Sequence, residues 1–266
     1  MAGKIRIGVG GWTFAPWRGT FFPKGVTQKQ ELAYASAHLT SIEVNGTYYG
    51  TIKRDSFRAW RDETPDDFVF SLKAPRFATN RRVLAVAGDS IARFLDSGVL
   101  DLGDKLGPIN WQFMPTKKFD AEDFAAFLAL LPKSAGGKKL RHAVEVRHES
   151  FACAEFVKLA ASHKVAIAVE GDSRFPIIAD ATADFIYARI MGTGENEALG
   201  YGKKALDLWA KRARQWAKGE GAEGLPMQLP FKPRKSGRDV FLYVISGHKE
   251  KNPAAAMALI ERVKEV

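Results

Sequence analysis

Eight short apolar runs, each of five to seven residues, alternate with longer amphipathic stretches along nearly the whole chain. Runs this short and apolar are typical of strands buried on both faces, as in a parallel sheet. Eight β-then-α units within 266 residues predict a (β/α)8 TIM barrel that forms one domain, residues 1–266. The predicted strands are Ile5–Gly11, Ser41–Asn45, Phe68–Lys73, Pro108–Phe113, Ala143–Arg147, Val165–Val169, Phe185–Met191 and Val240–Ser246.

Two intervals depart from a regular alternation. Only 15 residues separate the sixth and seventh predicted strands, so we expect the barrel to be irregular there. Residues 219–238 are rich in glycine, proline and basic residues, which indicates a long basic loop, either a surface excursion or a lid. A doubly wound sheet is the alternative fold, but the first strand is not followed by the Gly-x-Gly-x-x-Gly of dinucleotide-binding proteins.

Several predicted helices have recognisable ends. Thr27 and Gln30 fit a capping box before the first long helix, and Asp120 fits the cap of a helix that ends at Leu131. Asn252, followed by proline, fits the cap of the last helix. The stretch 205–218 carries apolar residues at helical spacing, which predicts a core-facing helix.

The composition limits the cellular compartments and the binding partners that fit this chain. The single cysteine, Cys153, precludes an intrachain disulfide, and no run approaches the ~18 apolar residues of a membrane helix. The amino terminus lacks a long apolar signal region, so we expect a cytoplasmic protein that does not bind membranes. The net charge of +10 is densest at 76–82, 203–218 and 232–238. It favours anionic partners, nucleic acid among them, or is simply a solvated basic surface.

Five of the predicted strands carry charged or amide residues where a buried strand is ordinarily apolar. An ionised side chain in a core costs several kcal/mol unless it is paired or faces a wet cavity. Most of these residues stand near the end of their run, so we expect them to converge at the carboxyl face of the barrel. They are Glu43, Asn45, Lys73, Gln112, Glu145, Arg147 and Arg189, and the sixth strand leads to Glu170 and Asp172.

Glu43 and Glu145 are the candidate catalytic carboxylates. Two carboxylates on opposite sides of a pocket can serve as general acid and base. They can equally be ion-pair partners, Glu43 of Lys73 and Glu145 of Arg147 or Arg189. His148 directly follows a strand end and is the candidate proton shuttle near neutral pH.

Three cations at the same face indicate the substrate class. Arginine binds phosphate and carboxylate through a planar fork, so a small anionic molecule is the expected ligand. Aromatic residues of the first loops could stack on a ring or pack in the core. The candidate substrate-binding residues are Trp12, Asn45, Tyr48, Lys73, Gln112, Arg147, Arg189 and His248.

The sequence assigns neither a cofactor nor a metal ligand. Neither His-x-x-x-His nor Cys-x-x-Cys spacing occurs, which argues against a structural zinc site. A divalent cation held by Glu43, Glu145, Asp172 and His248 is the alternative.

Several motifs together resemble the DUF72 (YecE-like) family. They are Gly10-Gly-Trp-Thr-Phe-Ala-Pro-Trp-Arg-Gly-Thr-Phe-Phe-Pro23, Ile42-Glu-Val-Asn-Gly-Thr-Tyr-Tyr49, Phe70-Ser-Leu-Lys-Ala-Pro-Arg76, Leu102-Gly-Asp-Lys-Leu-Gly-Pro108, Arg141-His-Ala-Val-Glu-Val-Arg-His148 and Phe185-Ile-Tyr-Ala-Arg-Ile-Met-Gly192. The resemblance implies a TIM barrel but no activity, since none is established for the family. It places the family's polar positions at Glu43, Asn45, Lys73, Gln112, Glu145, Arg147 and Arg189. The chain departs from the family pattern at Gly46, Asn80 and Ser246–Gly247.

These observations favour an enzyme that acts on a small anionic or polyhydroxy substrate, such as a sugar phosphate, by carboxylate acid/base chemistry. Hydrolysis, isomerisation and lyase chemistry all fit the candidate residues. A nucleic-acid-binding or phosphodiester-processing protein is one alternative, and a non-catalytic ligand-binding module is the other. Nothing in the sequence indicates the oligomeric state.

Overall fold

Eight parallel strands close into a barrel in a computed structural model that describes residues 1–264. The strands follow the order β1-β10-β9-β8-β7-β4-β3-β2 around the barrel. A small antiparallel pair, β5 and β6, lies outside it. The strands are β1 (Ile5–Gly10), β2 (Ser41–Val44), β3 (Val69–Lys73), β4 (Leu106–Gln112), β5 (Ser134–Ala135), β6 (Lys138–Lys139), β7 (His142–Glu145), β8 (Ala166–Gly171), β9 (Phe185–Ile190) and β10 (Asp239–Val244).

Helices fill the intervals between most barrel strands, as the sequence predicts for a TIM barrel. The exception is the connection from β8 to β9, where residues 172–184 contain no helix, so the predicted irregularity is confirmed. The helices are α1 (Glu31–His38), α2 (Gly46–Tyr49), α3 (Arg54–Glu63), α4 (Arg76–Thr79), α5 (Gly88–Asp96), α6 (Ala121–Leu130), α7 (Ala154–His163), α8 (Lys203–Lys218) and α9 (Asn252–Lys264).

Side chains of successive strand residues alternate between two cores. One core lies between the strands and the helices, and Ile167, Val169 and Trp209 belong to it. The other fills the barrel interior and includes Phe185 and Phe241. Because the period of a strand is two, residues in phase with this inner core also point into the barrel. At the carboxyl ends of the strands, these inward side chains lie at one end of the barrel, which we call the mouth.

Gly8 permits close approach of two neighbouring strands. A Cβ atom at this position would lie 1.7 Å from the carbonyl oxygen of Ser41 on β2. No side chain can replace the glycine here without a shift of the β1–β2 pair. Glycine is therefore required at this point of the barrel wall.

Most helix ends agree with the sequence signals. The Asp120 side chain accepts a hydrogen bond from the Asp123 N–H at 2.9 Å, and α8 buries Trp209 and Trp216. The prediction for Asn252 was wrong, because a short 3-10 turn precedes it and the helix begins at Asn252 itself. Its side chain instead accepts a hydrogen bond from Thr193 Oγ1 at 2.8 Å.

The long loop 219–238 lies at the amino-terminal face, opposite the mouth. It connects the end of α8 to the start of β10, and its Gly237 N–H donates to the Met1 carbonyl at 3.2 Å. A lid over the mouth is therefore the wrong interpretation of this loop. Of the helices that the structure describes, none is long and apolar enough to cross a lipid bilayer.

Candidate functional site

A buried guanidinium forms the centre of the polar cluster at the mouth. Arg189, on β9, donates from Nε to Glu43 Oε2 at 3.0 Å and from Nη2 to Glu43 Oε1 at 3.2 Å. Its Nη1 donates to Glu145 Oε1 at 2.9 Å. Glu43 and Glu145 are fully buried and Arg189 is 2% exposed, so this is an ion triad inside the barrel. The sequence allowed Glu43 to pair with Lys73; it pairs with Arg189 instead.

Glu145 accepts hydrogen bonds from several neighbours. Asn110 Nδ2 donates to its Oε2 at 2.8 Å, and Gln112 donates to its Oε1. Arg147, two residues along the same strand direction, donates from Nε to Oε1 at 2.8 Å. The pairing of Glu145 with both Arg147 and Arg189 agrees with the ion-pair alternative read from the sequence.

The charges around Glu145 decide its protonation. Burial by itself would raise its pKa, but Arg189, Arg147 and Lys73 together lower the pKa to about 2. The pKa of Arg189 moves the opposite way: burial opposes its charge, yet Glu145 and Glu43 outweigh burial and raise the pKa well above its ordinary value. Glu145 and Arg189 are therefore ionised at neutral pH.

Glu170 differs from the two paired carboxylates. It is fully buried, and neither carboxyl oxygen has a hydrogen-bond partner among the residues that the structure describes. Its Oε1 lies 3.6 Å from Arg189 Nη1, close enough for a Coulombic interaction but too long for a hydrogen bond. Burial, followed by the charge of Glu145, raises the pKa of Glu170 to about 8. A carboxyl group with this pKa is mostly protonated at pH 7.

Lys73 is the cation of the cluster without a carboxylate partner. It is 5% exposed, donates to Gln112 Oε1 at 3.0 Å, and has its Nζ 4.5 Å from the centre of the Tyr48 ring. Within residues 1–264, no carboxylate oxygen forms a salt bridge with it. Burial, and then the charge of Arg189, lowers the pKa of Lys73.

A layer of hydroxyl groups lies below the ion triad. Tyr187 donates to Glu43 Oε2 at 2.5 Å, and burial followed by the charge of Glu43 raises the pKa of Tyr187 well above its usual range. The hydroxyls of Tyr187 and Ser71 lie 2.9 Å apart, as do those of Tyr243 and Ser41 at 2.8 Å. This layer separates the triad from the apolar interior and fixes Glu43 from below.

Arg147 and Asn45 mark the outer edge of the cluster. The Arg147 side chain is 21% exposed, and its Cζ lies 4.4 Å from the centre of the Phe175 ring, which belongs to the β8–β9 connection. Asn45 is partly buried, and a Cβ atom on Gly10 would lie 2.8 Å from its Nδ2. Arg147 is thus a partly exposed neighbour of the triad, and the Phe175 ring lies against its guanidinium.

Five predicted site residues make no side-chain hydrogen bond to the cluster within residues 1–264: Asn45, Tyr48, which contacts Lys73 through its ring, and Trp12, His148 and His248. Trp12 packs edge-on against Trp60, with ring centres 5.0 Å apart, in the layer outside the barrel. His148 Nδ1 accepts a hydrogen bond from the Ser150 N–H at 3.1 Å, which caps a short 3-10 turn. His248 lies in the loop after β10, where its N–H donates to the Thr193 carbonyl.

The residues weighed as a metal site are dispersed. Glu43 and Glu145 are both directed at Arg189, whereas Asp172 accepts a hydrogen bond from Trp209 Nε1 at 2.8 Å. No group of three or more His, Cys, Asp or Glu side chains within the described part of the chain is placed to hold a metal ion. The four residues proposed from the sequence thus do not form a ligand set.

Three members of the cluster were not selected from the sequence. Glu170 was noted at a strand end but not chosen, and Asn110 and Tyr187 were not singled out. The spacing along the strand would have identified each of them as an inward-facing residue. Asn110 precedes Gln112 by two residues, Tyr187 precedes Arg189 by two, and Glu170 is in phase with the inward Ala168.

The sequence model of "Protein of unknown function DUF72" matches residues 6–266 of the chain. Among curated proteins, the UPF0759 protein YecE of Escherichia coli strain K12 is 29% identical over 147 residues. That match takes in 55% of this chain and 50% of YecE, so it spans about half the length of the relative.

Solved structures of two DUF72 family proteins have the same fold. One, from Thermotoga maritima MSB8, is 20% identical with a TM-score of 0.74 and covers 98% of this chain and 100% of its own. The other, from Enterococcus faecalis V583, is 17% identical with a TM-score of 0.73 and covers 98% and 96%. A xylose isomerase-like TIM barrel/4-hydroxyphenylpyruvate dioxygenase fusion protein is 14% identical, has a TM-score of 0.53 and covers 98% of this chain and 43% of its own. At these identities the likeness concerns the fold alone, a TIM barrel.

Proposed function

We propose, on the premise that this chain belongs to the DUF72 family of proteins of unknown function, that it is an acid/base enzyme. Its substrate is a small anionic or polyhydroxy molecule bound at the carboxyl face of the barrel. Glu170 serves as the general acid, and Lys73 and Arg147 bind the substrate's negative charge. This assignment moves the acid/base role from Glu43 and Glu145 to Glu170.

The proposal is carried by one observation, the buried and unpartnered carboxyl group of Glu170. A catalytic acid works best when its pKa lies near the operating pH, and burial raises the pKa of Glu170 to about 8. A carboxyl group in such an environment keeps its proton at pH 7 and can deliver it to a substrate. Unpartnered buried polar groups are rare in proteins, and strongly perturbed pKa values cluster at functional sites.

The charge of the cluster supports an anionic substrate. With Glu170 neutral, the two paired carboxylates Glu43 and Glu145 face three cations, Arg189, Arg147 and Lys73, so one positive charge is left over. The remaining charge is that of Lys73, which has only the Gln112 amide oxygen as a hydrogen-bond acceptor in the described structure. A bound phosphate or carboxylate would supply the missing negative charge.

Glu43 and Glu145 act as positioning residues in this proposal. The charges of Arg189, Arg147 and Lys73 hold the pKa of Glu145 near 2, far too low for proton transfer at neutral pH. Glu43 is held by both Arg189 and Tyr187. Both carboxylates fix the Arg189 guanidinium, which lies against Glu170.

Entry of a substrate requires displacement at the outer edge of the cluster. Arg147 stacks on Phe175, and the β8–β9 connection that carries Phe175 has no helix to stiffen it. We propose that a substrate anion engages Arg147 and displaces the Phe175 ring, which opens a path to Lys73 and Glu170.

The test is a screen of sugar phosphates, sugar acids and polyols for turnover by NMR in D2O, together with binding by calorimetry. For a compound that is turned over, Glu170→Gln is expected to lower kcat by a factor of about 10² to 10⁴ and to retain binding. Lys73→Met is expected to weaken binding. Glu63→Gln, an exposed change of the same chemistry far from the mouth, is the matched control.

The outcomes separate the competing functions. Turnover that survives Glu170→Gln at the wild-type rate refutes the assigned acid. Binding of a compound that is never turned over, and that Lys73→Met weakens, supports the ligand-binding module instead.

The distribution of positive charge disfavours the nucleic-acid alternative. Of the three dense basic stretches, only residues 76–82 follow a strand end at the mouth. Residues 203–218 form the outer helix α8, and residues 232–238 lie at the opposite face. Binding of single-stranded DNA that falls steeply with added salt, and that changes of Arg81 and Arg82 abolish, would reverse this conclusion.

A further inference from the structure

A second basic cleft lies at the amino-terminal face of the barrel, opposite the mouth. It has a volume of about 700 Å³ and is formed by the segments that lead into β7, β8, β9 and β10. One acidic residue, Asp184, lines it against six basic residues. The six are Lys133, Lys139, Arg141, Lys164, Arg234 and Arg238.

Two of the six cations are neutralised by carboxylates. Lys139 Nζ lies 2.6 Å from Asp184 Oδ2, and Arg141 Nη2 lies 2.8 Å from Asp239 Oδ2. The salt bridges of residues 1–264 include none to the remaining four cations. The cleft therefore holds a concentration of positive charge that its own acids do not balance.

Arg238 is the most unusual of the four. It is 3% exposed, its Nη1 donates to the Gly219 carbonyl at 3.2 Å, and its Nε has no hydrogen-bond partner in the described part of the chain. Burial, and then the charge of Arg234, lowers the pKa of Arg238. A buried arginine beside a second arginine, without a carboxylate, is a costly arrangement that a bound anion would stabilise.

The backbone fixes both arginines in place. The Arg234 N–H donates to the same Gly219 carbonyl that accepts from Arg238, and the Gly237 N–H donates to the Met1 carbonyl. The two guanidinium groups are thus carried on a segment pinned to the end of α8 and to the amino terminus. Two guanidinium forks on one segment, Arg238 buried and Arg234 exposed, suit the oxygens of phosphate groups.

The cleft also has an apolar part, beside the polar side chains of His142, His163 and Thr182. Leu131, Leu140, Ala183 and Phe185 line it and are largely buried. Several hundred Å³ is more than one phosphate fills and is the usual size of a small-molecule site. The ligand class that fits is therefore a phosphorylated molecule with a ring or other apolar portion.

We propose that this cleft is a binding site for a phosphorylated small molecule of nucleotide size, with Arg238 and Arg234 as its phosphate ligands. The site is separate from the mouth, because it lies at the opposite ends of the strands. It does not depend on the function proposed for Glu170.

The test uses inorganic pyrophosphate and ATP as probes, with the whole chain at low salt, and follows binding by calorimetry. Pyrophosphate isolates the phosphate contacts, and ATP adds a ring, so ATP is expected to bind more tightly. Arg238→Gln is expected to weaken binding of both probes by about tenfold or more. Lys235→Gln, a charge loss in the same loop but outside the cleft, is expected to leave both affinities within a factor of about two.

Arg238→Gln removes a hydrogen bond to Gly219 and could unfold the loop, so Arg234→Gln is the second variant. A several-fold loss of affinity in a normally folded Arg234→Gln protein supports the site on its own. The proposal is overturned if neither probe binds at millimolar concentration. It is equally overturned if both probes bind the two arginine variants as tightly as they bind the wild type.

Discussion

Replacement of Glu170 by glutamine tests the central electrostatic inference without any knowledge of a substrate. Glutamine has nearly the same shape but never ionises. In the folded protein, burial and the charge of Glu145 raise the pKa of Glu170 from 4.5 to about 8. A group whose pKa is raised on folding stabilises the protein at low pH, and that stabilisation is lost as the pH rises towards the folded-state pKa.

The size of the effect follows from the interval between the two pKa values. Each pKa unit corresponds to about 1.4 kcal/mol, so a shift from 4.5 to about 8 amounts to roughly 5 kcal/mol over the full titration. Between pH 5 and pH 8 the wild type is expected to lose roughly 3–4 kcal/mol relative to Glu170→Gln. Groups that titrate alike in both proteins cancel in this difference.

The assay is urea unfolding of both proteins at several pH values, with the free energy of unfolding compared at each. The unsatisfied amide of glutamine adds a cost that does not vary with pH, so the slope of the difference carries the information, not its absolute value. The C=O stretch of a protonated carboxylic acid at pH 7, present in the wild type and lost in the variant, is an independent readout. Two stability profiles that run parallel from pH 5 to pH 8 would refute the neutral state of Glu170.

Three further predictions concern the rest of the barrel. Glu145→Gln leaves Arg189 with one carboxylate fewer inside the barrel, and we expect unfolding experiments at pH 7 to show a loss of about 3–5 kcal/mol. Gly8→Ala, which forces a Cβ against the Ser41 carbonyl, is expected to lower the melting temperature sharply or to prevent folding, whereas a normal melting temperature would show that the two strands part easily. Burial lowers the pKa of His142 to about 4, so as the pH falls from 6.5 to 4 the unfolded chain gains a proton before the folded protein does. We expect the free energy of unfolding to fall by roughly 3 kcal/mol over this range because of His142. His142→Gln should flatten that acid limb of the stability curve, and an unchanged limb would contradict the assignment.

The strands of this barrel were predictable because their residue patterns report burial directly. All eight predicted barrel strands are present, and β7 and β10 show the typical error, a shift of a residue or two at each end. The missing helix between β8 and β9 followed from the length of that interval alone. Asn252 was misjudged because the cap signal, Asn before Pro, does not reveal that a 3-10 turn directly precedes the helix.

The location of the polar cluster was also predictable, but its pairings were not. Alternation along each strand identifies which side chains point inward, and Glu43 and Arg189 both meet that condition. Which inward residues touch depends on the stagger of the strands around the barrel and on the length of each side chain. Arg189 on β9 pairs with Glu43 on β2, which is not a neighbouring strand, and Lys73 does not pair with Glu43. No local pattern in the sequence indicates which of the two cations pairs with Glu43.

The polar cluster at the mouth could be a catalytic site or a purely structural network that fills the end of the barrel. A structural role accounts for Glu43 and Glu145, since each neutralises part of the Arg189 guanidinium and completes hydrogen bonds to its neighbours. It does not account for Glu170, whose side chain adds a third carboxyl group to the same buried space and makes no hydrogen bond in the described structure. An apolar residue there would remove a desolvation cost without breaking any hydrogen bond of a described side chain, and would remove only the 3.6 Å contact with Arg189. The case for acid/base chemistry at this mouth therefore depends first on the protonation of Glu170, which the pH dependence of Glu170→Gln tests, and then on turnover, which the substrate screen tests.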